Sequence, residues 1–309
     1  MNRADGKFPS GGYILSHSAE SSVDAVGIFL LLFESIKKSG LYGDVMNGSD
    51  NGAVVFVHGL LGFSSFSILG KEVQYFRNLH SGLQDGTRPV FFPALPATGY
   101  IEDRARVLAG FLAHINADRI DLIAHSMGGL DCRYLINQLD PMHRVRSLTT
   151  VSTPHHGSPL ATWSIGKSNA CFRWMHSIST PAVHDLTPEA CARFNREIVN
   201  REDVRYCSYA SMRSPADMMF ILRPWGRMIA ADSGDNDGMV SVVSAQWGEF
   251  RGVLQADHFE LTGWSFALPN ARKARPFNHL RFYRDLVRTL AENHALLFNH
   301  SSNAGGKTR

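Results

Sequence analysis

At 309 residues, with 44% hydrophobic and 19% charged side chains, the chain has ample material for one large buried core or two modest ones and does not read as disordered. Its net charge of +3 is only mildly basic. The single basic cluster, with Arg272, Lys273 and Arg275, lacks interleaved aromatics, so nucleic acid is not an expected partner.

In chain order, residues 1–50 form an N-terminal extension that is polar at first and then carries one apolar helix, expected from about Val23 to Lys38. Its apolar run, Val26 to Phe33, is flanked by Asp24 and Glu34 and is far shorter than the roughly 20 residues that a membrane span requires. It has no cationic flank or small-residue cleavage site, so no secretory signal is read and an intracellular location is expected. The four cysteines, Cys132, Cys171, Cys191 and Cys207, show no metal-ligand spacing, and Cys132 is expected to be a buried thiol. An incomplete disulfide set agrees with a reducing compartment.

The first core signal is Ala53 to Val57, an all-apolar stretch that reads as a strand buried on both faces. It runs into His58-Gly-Leu-Leu-Gly-Phe63, a turn whose glycines let the backbone N–H of Leu60 swing toward a reacting group. Helical spacing follows over Val73 to Leu83, then a strand over Pro89 to Phe92 and a helix over Glu102 to Ile115. Ile120, Leu122 and Ile123 form another buried strand, which ends in Ala124-His-Ser-Met-Gly-Gly129 and passes at once into a helix. A serine at such a strand-to-helix turn sits in strained backbone, so its neighbours two before and two after must be small. Ala124 and Gly128 are. The helix N-terminus then offers the N–H of Met127 as a second oxyanion donor beside that of Leu60.

Val145 to Val151 is the next strand and leads into Ser152-Thr-Pro-His-His-Gly-Ser158. Strand and helix alternate, so the fold class is α/β with a mainly parallel, doubly wound sheet, and its active site belongs at the carboxyl ends of the strands. The segment 159–200 breaks this rhythm and contains Trp163, Phe172, Trp174 and Met175. Val204 to Ser211 reads as a late strand, Gly252 to Gln255 as a short one, and Leu280, Phe282 and Tyr283 begin a terminal helix.

A serine nucleophile requires a histidine base oriented by a carboxylate. Fourteen histidines compete for that role. His125 adjoins the serine and is expected to point elsewhere, while His155 or His156 could brace the neighbouring loop. For the acid, the residues leave Asp232, Asp235 and Asp237 open, each equally readable as a solvated turn aspartate. For the base, His258 follows a strand, whereas His279 opens the terminal helix, where packing is the commoner role.

His58-Gly-Leu, Ala124-His-Ser-Met-Gly-Gly129, Ser152-Thr-Pro-His-His-Gly-Ser158, Asp185-Leu-Thr-Pro and Asn236-Asp-Gly-Met-Val-Ser241 together resemble the bacterial triacylglycerol lipases of the α/β-hydrolase superfamily, the Pseudomonas and Burkholderia type. The likeness runs from about Ala53 to Trp264. It implies an α/β-hydrolase domain with a short cap or lid at about 159–200; the domain is expected to span 51–300 and to be followed by a flexible tail at 301–309. It also implies the triad Ser126, Asp237 and His258, with Leu60 and Met127 as oxyanion donors. The expected activity is hydrolysis of carboxylic esters, acylglycerols among them, with possible transient contact at a lipid surface. A thioesterase, phospholipase or acyltransferase would use the same triad. No cofactor is required by this chemistry. The related lipases hold a structural calcium partly through an aspartate soon after the catalytic histidine, and the corresponding places here are Glu260 and, upstream, Asp217, around which the likeness thins.

Overall fold

The computed structural model describes residues 51–60, 65–68, 71–83, 88–166, 181–265 and 275–304. They fall within the compact unit Ser49–Arg309. The expected N-terminal helix, Cys171 and the middle of the cap, residues 167–180, lie outside the described residues.

Six parallel strands form the central sheet: β1 (Gly52–Val57), β4 (Val90–Phe91), β5 (Arg119–His125), β6 (Val145–Val151), β7 (Arg205–Met212) and β8 (Glu249–Gln255). Their spatial order is β4-β1-β5-β6-β7-β8. The chain leaves β1 toward one edge to make β4, then returns to place β5 on the other flank of β1, so the order reverses between β1 and β5. Parallel strands that part at such a switch point leave a crevice at their carboxyl ends. The His58 turn and the Ser126 turn leave β1 and β5 at that crevice, with Val57 paired to Ala124.

β1 is apolar throughout because both its faces are covered. Ala53, Val55 and Val57 enter a core with Ala105, Leu108 and Leu112 of α2 (Ile101–Ala113) and Cys132 of α3 (Gly128–Tyr134). Val54 and Phe56 point the other way, into a core with Phe76, Leu79 and the terminal helix residues Tyr283, Val287 and Leu290. Each such large apolar side chain contributes on the order of 1.5–3 kcal/mol through burial. α3 continues as a π-helical turn over Leu135–Leu139. Cys132, Cys191 and Cys207 are free thiols, the first fully buried as expected.

The helix expected over Val73 to Leu83 is replaced by three smaller pieces. A hairpin of β2 (Ser65–Ile68) and β3 (Lys71–Gln74) is followed by α1 (Leu79–Gly82). The helical spacing arose because Phe76, Leu79 and Leu83 all reach one core, which a loop and a single turn accomplish as well as a helix does. Residues 159–200 carry α4 (Pro159–Gly166) and α5 (Pro188–Glu197). α5 begins at Pro188 with Thr187 accepting the Ala190 N–H at 3.2 Å, and the preceding Asp185 accepts the Ile101 N–H at 2.8 Å, tying this segment to the start of α2. α6 (Arg223–Ser233) precedes the acidic loop, and α7 (His279–Ala304) continues past residue 300. β8 begins at Glu249, earlier than its sequence suggested, because an edge strand needs no continuous apolar pattern. No helix among the described residues is long and apolar enough to cross a membrane.

Candidate active site

Ser126 stands at the carboxyl end of β5 with φ of 56°, in the left-handed region that a non-glycine residue enters only under strain. The turn holds because its surroundings leave no alternative. The Ser126 N–H donates to the Val151 carbonyl at 3.0 Å, and the Ser126 carbonyl accepts the Thr153 hydroxyl at 2.7 Å. A methyl group on Gly128 would sit 2.8 Å from the backbone oxygens of both Val57 and His58. The small residue that the sequence placed two after the serine is thus required by the approach of helix to strand. Met127 caps the N-terminus of α3, whose N–H groups present partial positive charge to the crevice.

Asp237 and His258 meet across the end of β8. The Asp237 Oδ2 to His258 Nδ1 distance is 2.8 Å, both residues are buried, and the His258 N–H donates to the Asp237 carbonyl at 3.0 Å. Asp237 Oδ1 accepts the backbone N–H groups of Met239 and Val240 at 2.9 and 2.8 Å, and Oδ2 also accepts the Ser211 hydroxyl at 2.9 Å. Burial alone would raise this carboxyl, but the adjacent His258 and these hydrogen bonds reverse the effect and hold it below the usual range. It is therefore an ionised acceptor. Asp232 and Asp235 are exposed, and His279 is bonded to the Arg77 carbonyl at 2.8 Å, on the far helix.

His125 does not turn away from the site as expected. Its ring lies 4.5 Å from that of His258, and its Nδ1 is 2.7 Å from the Tyr75 hydroxyl, which in turn accepts the Gly59 N–H at 3.3 Å. Burial first, and the neighbouring His258 second, push His125 well below the ordinary histidine range, so it stays neutral. His155 does brace the neighbouring loop, bonding Thr150 at 3.0 Å and stacking on Trp247.

The sequence profile described as "Alpha/beta hydrolase family" matches residues 54–261. The chain belongs to the alpha/beta hydrolase family. It is 34% identical over 206 residues to triacylglycerol lipase 2 of Saccharomyces cerevisiae, covering 62% of this chain and 63% of that protein. It is 32% identical over 112 residues to a triacylglycerol lipase of Pseudomonas fragi, covering 35% of this chain and 36% of that protein. The chain thus spans less than two thirds of the length of these relatives. Among solved structures, a metagenomic carboxyl esterase superposes with a TM-score of 0.66 at 22% identity, covering 80% of this chain and 77% of that one. These likenesses bear out the α/β-hydrolase fold read from the sequence.

Sequence reasoning missed how this chain holds its His58 turn. Arg104, fully buried on α2, donates to the His58 carbonyl at 2.8 Å, the Gly59 carbonyl at 3.3 Å, the Pro96 carbonyl and Asp131 Oδ2 at 2.8 Å. The His58 ring closes the loop on itself: Nε2 accepts the Leu95 N–H at 3.0 Å, which leaves Nδ1 as the donor to the Gly59 carbonyl at 2.9 Å. Burial, then Arg104, lower His58 to about 4, consistent with that neutral tautomer. The Gly59 backbone packs so closely on the serine that a methyl group there would lie 2.6 Å from Ser126 Cβ and 3.1 Å from Ser126 Oγ. A turn anchored at its carbonyls and pressed against Ser126 presents its N–H groups with little freedom to reorient.

Glu260 lies under the His258 loop with both carboxylate oxygens on Arg213, at 2.9 and 3.2 Å, and it accepts the Asp257 N–H at 3.0 Å. Asp217 is exposed. Calcium requires six to eight oxygen ligands with carboxylates free to coordinate. A carboxylate already neutralised by a buried guanidinium does not fit that demand, and the described residues contain no cluster of three or more acidic, histidine or cysteine side chains able to hold a metal.

Proposed function

We propose that the protein is a serine hydrolase that cleaves carboxylic esters, acylglycerols and related lipid esters among them, through an acyl-enzyme formed on Ser126. The observation that carries this reading is the fixed Asp237 to His258 pair, 2.8 Å apart, whose His258 ring lies 4.5 Å from that of His125, the residue before a serine held at φ of 56° on a strand-to-helix turn. Asp237 orients His258 and stabilises its imidazolium without itself taking the proton. Ser126 attacks the ester carbonyl as His258 accepts the hydroxyl proton. The N–H groups of Leu60 and Met127 receive the oxyanion, and His258 then protonates the departing alcohol. Water, deprotonated by the same histidine, completes the cycle and releases the acid. The finer likeness to the Pseudomonas and Burkholderia lipases is supported by the shared motifs and by the partial match to the Pseudomonas fragi protein. This reading places no structural calcium at Glu260, because Arg213 engages both of its carboxylate oxygens.

The test is the initial rate on p-nitrophenyl esters from acetyl to palmitoyl. Ser126→Ala should abolish turnover at every chain length while leaving the melting temperature in place. Asp237→Asn should lower kcat by about 10⁴-fold through loss of the correct histidine tautomer. Hydrolysis that survives Ser126→Ala would place the chemistry elsewhere in the chain.

A further inference from the structure

The Asp237 carboxylate is more fully occupied than its partnership with His258 requires, and the surplus contact leads to a second, unexpected residue. Ser211, at the end of β7, donates to the same Oδ2 that holds His258, and its oxygen lies 2.6 Å from the Ser152 hydroxyl at the end of β6. All three residues are buried. The direction of this chain is fixed by charge: an ionised carboxylate only accepts, so Ser211 spends its proton on Asp237 and must receive that of Ser152. Ser152 is itself unusual. It has φ of 48°, a second non-glycine residue in the left-handed region beside the site, where glycine would be free of strain.

We propose that Ser152 and Ser211 are positioning residues for the hydrolysis, a two-hydroxyl chain that fixes the direction from which Asp237 accepts the His258 proton donor. The proposal rests on the triad reading given above. Oδ1 is pinned by two backbone N–H groups, and Ser211 fills the remaining acceptor direction on Oδ2, so the carboxylate cannot rotate away from His258. The strained backbone at Ser152 is then retained for its hydroxyl, because a glycine there would relax the loop and leave Ser211 without its donor.

The experiment compares Ser211→Ala, Ser152→Gly, the double variant and Ser211→Thr with p-nitrophenyl butyrate as the probe. Asp237→Asn and Ser126→Ala serve as controls. Ser211→Ala should lower kcat by about tenfold, the scale of one hydrogen bond to a charged group, with KM unchanged. Removing that donor concentrates charge on Oδ2 and favours the imidazolium, so the acid limb of kcat/KM should also move to higher pH. Ser152→Gly should lower kcat several-fold while its melting temperature stays level or rises, a combination that a merely structural serine would not give. The double variant should be no worse than Ser211→Ala, since the hydroxyls act in series, and Ser211→Thr should restore the rate. Unchanged kcat and an unmoved acid limb in Ser211→Ala, or effects of the two serines that multiply, would overturn the chain while an inactive Asp237→Asn left the triad standing. An active Asp237→Asn would instead remove the triad reading beneath it.

Discussion

Replacing Arg104 by Met separates two duties that one buried side chain performs. The guanidinium neutralises Asp131 and donates to the carbonyls of Pro96, His58 and Gly59, so its loss strands a buried carboxylate and opens the His58 turn at once. Breaking a buried ion pair from one side costs about 3–5 kcal/mol. Asp131 is already pushed up to about 6 by its burial, against the attraction of Arg104, and one of its oxygens has no partner among the described residues. It should therefore take up a proton in the variant and limit the loss to the lower part of that range. The double variant Arg104→Met, Asp131→Leu should recover most of the stability because no charge is left buried. Activity should not recover with it. The His58 carbonyl still lacks its donor and the Gly59 carbonyl keeps only that of the His58 ring, and a Leu60 N–H free to swing out of place forfeits on the order of 10²-fold in kcat, the scale of a lost oxyanion donor. Urea unfolding and p-nitrophenyl butyrate kinetics on the three proteins decide the matter. A double variant with full activity would show that the carbonyl clamp is idle and that only the buried charge mattered.

Gly128→Ala would force a methyl group to within 2.8 Å of two backbone oxygens, so it should either fail to fold or shift the helix and abolish activity together with several kcal/mol of stability; normal expression and turnover would refute the required close approach. Chelation with EDTA should leave both activity and melting temperature unchanged, and a fall that calcium reverses would mean the Arg213 to Glu260 pair does not exhaust that carboxylate. His58, His125 and His155 are all buried and held below the ordinary histidine range, so unfolding takes up protons that the native state refuses. Stability should be full above about pH 6.5 and decline as the pH falls from there toward 4, by about 1.4 kcal/mol per pH unit for each histidine, offset partly by Asp131, whose raised range works in the opposite sense. A melting temperature flat between pH 7 and 5 would contradict the neutral burial of these rings.

β1 was legible because its burial on both faces leaves a continuous apolar run, Ala53 to Val57. The serine turn was legible for a different reason: its sterics admit few residues, and Gly128 is one of them. Asp237 was ambiguous by sequence because both readings describe it. Its Oδ1 makes the local turn and its Oδ2 holds His258, so one side chain satisfies a short-range pattern and a long-range one. Arg104 and Tyr75 were not legible. Their partners are backbone groups, the Asp131 carboxylate and a histidine, all brought near only by the fold, and neither an arginine on an amphipathic helix nor a tyrosine in a supposed helix distinguishes itself in a linear pattern. His125 was misread because adjacency to the serine says nothing of the side chain's direction, which the Tyr75 hydroxyl sets.

The parallel sheet also imposes an order in time. The strand that carries Ser126 is third from one edge, whereas His258 follows the strand at the opposite edge, which is also the last of the described strands in the sequence. A growing chain therefore completes the sequence of the His58 and Ser126 turns well before the proposed base, His258, is made. Until β8 pairs with β7 and brings the His258 loop onto Asp237, the proposed base is missing, and a chain ending short of β8 should be inactive on esters.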